Sequence, residues 1–168
     1  ESSGGLVGSE MCIRDRFSNV TVMGGADNGE DGLRLREGTG GDFRNYIIMN
    51  VTDDAIRNDD NGSELVTQDL SATTGLYPDY LYISPNTLMW NIGDALFNDF
   101  DEDTDAAFTE TAIVADPGLD QENLDVTPVA DGAAYSNVDP VADAWFTQAD
   151  YKGAFGSDNW LDGLSILS

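Results

Sequence analysis

Asp99, Asp101, Asp103, Asp105 and Glu110, in the stretch DFDEDTDAAFTE, fall at positions 1, 3, 5, 7 and 12 of an EF-hand-like frame. Carboxylates at alternating positions can converge on one Ca²⁺, with the last glutamate gripping through both oxygens. The frame departs from the pattern at position six, where Thr104 stands in place of the turn-making glycine, and no flanking helices are evident. A Ca²⁺ loop over these five residues is therefore one expectation, and a solvated acidic insertion is the plain alternative. Two further acidic stretches, DNGEDG at 27–32 and NDDNGSE at 58–64, read first as turns and only second as cation holders.

Other chemistries are excluded by what the chain lacks. There is no histidine, which removes Ser-His-Asp and Cys-His arrangements, the usual zinc sites and the commonest general base. A single cysteine, Cys12, allows no intramolecular disulfide. The formal charge is −25, from 32 acidic and 7 basic residues. Such a field repels nucleic acid and anionic membrane surfaces and favours cations. No run of about 18 apolar residues is present, so no membrane insertion is expected. With so many acids, some carboxylate pair always has a spacing suited to glycoside hydrolysis, and that pairing identifies nothing.

The elements that must position these residues repeat. FSNVTVMGG at 17–25 returns as FRNYIIMNV at 43–51, and NTLMWN at 86–91 aligns with NYIIMN at 45–50. A second element, DGLRLR at 31–36, returns as DAIRND at 54–59. These segments are short, β-branched or aliphatic, and bounded by Gly, Asn and Asp, so they read as strands. Two short strands in each period of about two dozen residues suit a β-solenoid, in which like residues stack at ~4.8 Å. Gly24, Asn50 and Asn91 would then share one column at a strand end. A β-sandwich with coincidental Asn placement is the alternative. Val20 and Val22 favour one inward parity, whereas Ile47, Met49, Leu88 and Trp90 favour the other, so parity stays open at 45–50 and 86–91. Leu33 and Leu35 are expected inside, with Arg34 and Arg36 outside as a ridge or paired with acids.

Flanking segments have a different texture. ESSGGLVGSEMCIRDR, residues 1–16, resembles translated sequencing adapter and is set aside as an artefact or tail, with upstream sequence expected to be missing. An inserted loop is expected around SATTGLYPDYLYISP. Residues 17–98 are read as the repeating strands, and 99–168 as an acidic loop, a Pro-bearing wrapping segment and a C-terminal cap. Trp145, Phe146, Tyr151, Phe155 and Trp160 would seal the last repeat, or else present an aromatic platform to carbohydrate.

NVTVMGG…DGLRLREGT, FRNYIIMN, DPGL and the closing YKGAF…NW together resemble the C-terminal part of secreted bacterial surface proteins with a right-handed parallel β-helix, the pectin-lyase-like class. That resemblance implies an all-β solenoid fragment with a loop-rich, aromatic C-terminal cap, exported to the extracellular space or outer cell surface. It implies a non-catalytic structural, adhesive or glycan-binding role, with polysaccharide or cell-surface components as partners. The alternative it raises is a fragment of a polysaccharide lyase or glycoside hydrolase with its active repeats upstream. A lyase of this kind would need a basic residue, for which Arg34, Arg36, Arg44, Arg57 and Lys152 are the candidates. An open first repeat would also favour end-to-end self-association.

Overall fold

The computed structural model describes residues 15–25, 30–36, 39, 41–59, 81–100, 102–141 and 144–161. Most regular structure is strand, organised as three separate parallel sheets. The chain visits them in the same order three times. The first pass is β1 (Asp15–Ser18), β2 (Thr21–Met23) and β3 (Leu33–Arg36); the second is β4 (Gly41–Arg44), β5 (Ile47–Met49) and β6 (Ile56–Asp59). The third is β7 (Leu81–Ile83), β8 (Leu88–Trp90) and β9 (Phe97–Asn98), followed by helix α1 (Glu102–Thr111) and β10 (Ile113–Val114). The sheets are ordered β1-β4-β7, β10-β8-β5-β2 and β3-β6-β9.

Register follows the sequence repeats. Phe17 lies opposite Phe43, Val22 opposite Ile48, and Ile48 opposite Met89. Leu33 lies opposite Ile56, and Ile56 opposite Phe97. Every strand pairing is parallel, so the facing antiparallel layers of a sandwich are not what these segments form.

Sharp corners between strands are made by asparagine. Asn19, Asn45, Asn50 and Asn91 all have positive φ, between 52° and 59°. Asparagine tolerates this left-handed region better than other non-glycine residues because its short side chain can hydrogen-bond locally. Asn19 and Asn45 turn the first and second passes out of β1 and β4. Asn50 and Asn91 turn the second and third passes out of β5 and β8. Gly24 completes the second column, and a Cβ there would run into the backbone of Asn50 and lie 2.8 Å from the Cα of Val51.

The two inward parities suggested by the sequence both occur, because the β10-β8-β5-β2 sheet is covered on both faces, although Trp90, expected inward with Ile47, Met49 and Leu88, is exposed. One cluster draws on all three sheets, with Phe43, Ile48, Ile56, Leu81, Met89 and Phe97 buried together and Val20 and Val22 packed on it. On the opposite face Ile47, Met49 and Leu88 bury against Leu119 and Ala134, from the segment expected to wrap the surface. Leu35 is buried and Arg34 and Arg36 are exposed, as the alternation predicts.

Four expectations differ from the structure. Residues 102–111 of the acidic stretch form a helix where a loop is expected. Leu81–Ile83, placed in an inserted loop, is strand β7; the rest of that loop up to residue 80 lies outside the described residues. Asp15 and Arg16, set aside with the N-terminal segment, begin β1 and pair with Gly41 and Asp42; residues 1–14 lie outside the described residues. Finally, the last pass is covered by α1, not by the closing aromatics. Phe108 stacks on Phe97 at 4.9 Å and approaches Phe100 at 6.2 Å. The closing segment instead lies beside the first two passes. Asn19 Nδ2 donates to the Tyr151 carbonyl, Gly153 N to the Asn45 carbonyl, and Ala154 N to Thr21 Oγ1. Gly153 has φ +83°, and a Cβ there would stand 2.6 Å from Ile47 Cδ1, so the strap can approach β5 only as glycine. Trp145 and Trp160 are 88% and 62% exposed, and Trp160 stacks on Phe155 of the same closing segment.

Candidate functional site

Polar side chains gather at several places among the described residues, and two of these carry candidate chemistry. The first is an open groove of about 880 Å³ at the corner after β5 and β8. Asn50, Asn91 and Gln121 line it, with Thr52, Leu119, Asp120 and Glu122 around them. Its floor is an amide chain. Asn91 Nδ2 donates to Asn50 Oδ1 (2.9 Å), Asn50 Nδ2 to Gln121 Oε1 (2.8 Å), and Gln121 Nε2 to the Gly24 carbonyl (2.7 Å). The like-on-like stacking expected for Asn50 and Asn91 is thus a direct hydrogen bond, and Gln121 joins Gly24 to it. Asp120 is held by Asn123, through Oδ2 to the side-chain amide and Oδ1 to the backbone N–H, which keeps its carboxyl below the usual range. Trp90, next to Asn91 in the chain, is exposed at the end of β8.

The second is an acidic cluster at the turns before β3 and β6. One oxygen from each of Asp31, Asp53 and Asp54 lies within 4.8 Å of the others. The register Leu33↔Ile56, carried back two residues, sets Asp31 of the first pass against Asp54 of the second, and Gly32 N donates to the Asp54 carbonyl. Asp54 is wholly buried; Ala95 N donates to its Oδ1 and Asn98 Nδ2 to its Oδ2. Asp31 has a side chain 5% exposed. Its Oδ2 is 3.6 Å from Arg34 Nε, and its Oδ1 is buried without a hydrogen-bond partner. Burial pushes the Asp31 carboxyl above its ordinary pKa, and Asp53 and Asp54 add to that, against the opposing pull of Arg34 and Arg57.

Arginines frame the cluster but send their short contacts elsewhere. Arg34 Nη2 is 2.8 Å and Arg36 Nη2 is 3.0 Å from Asp59 Oδ2; Arg57 Nη2 is 2.8 Å from Asp99 Oδ2. Arg57 Nη1 approaches Asp54 only to 3.8 Å. These pairs fit the reading of Arg34 and Arg36 as outward residues paired with acids. Arg44 belongs to a different network: it donates from Nε to Asp42 and from Nη1 to Asp139, and lies 4.3 Å over the Tyr82 ring, while Tyr82 donates to Asp139 Oδ2. That network fastens the wrapping segment to the β1-β4-β7 sheet.

Within the EF-hand-like frame, the described backbone of 102–111 is helix α1 where a loop is expected. Asp99 sits at a left-handed turn with φ 61° and its carboxylate on Arg57. Asp101 lies outside the described residues, Asp103 and Asp105 are in the helical backbone of α1, and Glu110 is exposed on that helix. Of the two minor acidic turns, 27–32 supplies Asp31, whereas 60–64 lie outside the described residues. Asp53 and Asp54 were not singled out as ligands by sequence reasoning. The repeat that aligns DGLRLR with DAIRND carries the signal, since it places acid on acid.

Among the described residues no helix is long and apolar enough to cross a membrane. Comparison with protein-family models, curated proteins and solved structures gives no match.

Proposed function

We propose that this chain is a segment of a right-handed parallel β-helix protein of the extracellular space or outer cell surface, and that it binds neutral glycan without cleaving it. Three passes through the same three sheets in the same order support the solenoid reading. The observation that carries the binding reading is the amide-floored groove of Asn50, Asn91 and Gln121. Side-chain amides offer both donors and acceptors to sugar hydroxyls, and Trp90, exposed and next to Asn91 in the chain, offers a flat apolar face. Asp120 and Glu122 at the rim and the charge of −25 disfavour anionic polysaccharides and leave neutral ones. Absence of histidine and scarcity of basic residues support a role without catalysis.

A glycan array followed by calorimetric titration of the full chain tests this. Neutral oligosaccharides should bind, and Asn91→Gly, which keeps the positive φ and removes the amide, should weaken them about tenfold, the equivalent of one good hydrogen bond. Depolymerisation of any bound polysaccharide by this chain would overturn the non-catalytic reading. Binding unaffected by Asn91→Gly would overturn the site.

A further inference from the structure

The acidic cluster has features that hydrogen bonding within the protein leaves unexplained. Asp31 Oδ1 is buried with no partner, although its side chain is 95% shielded and belongs to a carboxylate whose neighbours are two more carboxylates. An unpartnered buried acceptor of this kind costs free energy unless something positive faces it. The linked network comprises five carboxylates, on Asp31, Asp53, Asp54, Asp59 and Asp99, and three guanidinium groups, on Arg34, Arg36 and Arg57. Its deficit is two positive charges, which is one divalent ion. The nearest guanidinium contacts to the cluster, at 3.6 and 3.8 Å, are long because both arginines are drawn to Asp59 and Asp99.

We infer that Asp31, Asp53 and Asp54 form a Ca²⁺ site that staples the first pass of the chain to the second. All donors are hard carboxylate oxygens, and no His or Cys is among them to favour a softer metal. Ligands on opposite sides of Ca²⁺, each about 2.4 Å from it, are about 4.8 Å apart, whereas Mg²⁺ needs about 4.2 Å and near-ideal octahedral geometry. The three oxygens lie within 4.8 Å of one another, close enough for one ion of either kind, and it is the reluctance of Mg²⁺ to give up water that favours Ca²⁺ in an all-carboxylate site. Asp54 is fixed in orientation by Ala95 and Asn98 of the third pass, which act as the outer support that holds a ligand in place. Each Asp54 oxygen accepts one hydrogen bond and retains a lone pair for an ion. The site therefore draws on residues from all three passes, and it touches the frame of Asp99 to Glu110 only through the Arg57–Asp99 pair.

Calorimetric titration of the chelator-treated full chain with CaCl₂ and with MgCl₂, paired with thermal melting, tests the inference. One Ca²⁺ per chain should bind, melting should move up, and Mg²⁺ should be weaker. Asp53→Asn should weaken Ca²⁺ at least about tenfold, since even outer-shell partners are worth that much. Asp31→Asn should lose the Ca²⁺ response while melting no lower than the parent in chelator, because it removes a buried charge. Glu110→Gln should bind as the parent does. Absence of Ca²⁺ heat and of any melting shift would overturn the inference. So would Ca²⁺ binding retained in Asp53→Asn, or binding lost in Glu110→Gln alone. Should Asp31→Asn fail to fold, the half-buried Asp53→Asn decides.

Discussion

Lys152 is wholly buried, and its Nζ donates to the carbonyl of Ser136. Burial pulls its pKa down from 10.5 to about 8. Keeping the ammonium charged in that place at pH 7 costs about 3 kcal/mol, at 1.36 kcal/mol for each tenfold change in acidity. Lys152→Met keeps the length and most of the volume and removes the charge, but it also loses the bond to Ser136, worth about 1 kcal/mol. The variant should therefore be more stable than the parent by about 2 kcal/mol at pH 7. Sign and window follow from the depressed folded-state pKa. Between about 8 and 10.5 the unfolded parent binds more protons than the folded one, so parental stability rises with pH in that window. By pH 9.5 the advantage of the variant should have shrunk to about zero. Tyr46, pushed up to about 12 by burial, opposes this trend at still higher pH, but it is common to both proteins and cancels in the difference. Urea unfolding followed by tryptophan fluorescence at pH 7 and 9.5 measures the gap, which at pH 7 should move the midpoint by about 1 M. A gap independent of pH, or a variant less stable at pH 7, would refute the reasoning.

Two further substitutions test the corners and the covered end. Asn50→Ala should lose about 3 kcal/mol, from two amide hydrogen bonds and about 1 kcal/mol for alanine at φ 56°, whereas Asn50→Gly should lose about 2; equal losses in chemical denaturation would argue against backbone strain at this corner. Phe108→Ala should cost about 2 kcal/mol by uncovering Phe97, while Trp160→Ala, which removes an exposed ring stacked on Phe155, should cost under about 1; the reverse order in the same assay would restore the closing aromatics as the cover.

The repeat was legible because stacked parallel strands require equivalent residues at equal spacing. Phe17 opposite Phe43 and Leu33 opposite Ile56 are the sequence repeats turned directly into register. The corner asparagines were legible for the same reason, although their positive φ shows that backbone conformation, and not amide stacking alone, selects them. Parity at Ile47–Met49 was not legible, since alternation identifies one buried face and this sheet buries two. Helix α1 was missed because acids near a helix N-terminus complement its dipole, and the same acids spell a cation loop. What decides between them is Phe108 packing on Phe97, a contact that only the third pass creates. The Asp31, Asp53 and Asp54 cluster was half visible: the repeat pairs Asp31 with Asp54, but the burial that strands Asp31 Oδ1 belongs to the assembled turns.

The strap from Tyr151 to Ala154 reaches Thr21 across 133 residues of sequence. During synthesis, strand β5 is therefore on hand long before the glycine that packs against Ile47 has been made. Leu119 and Ala134 cover part of its outer aliphatic side sooner, but the flank against Gly153 stays open until the strap is made. A protease cut just before residue 151 would therefore strip contacts from β2, β5 and their corners, far away in sequence.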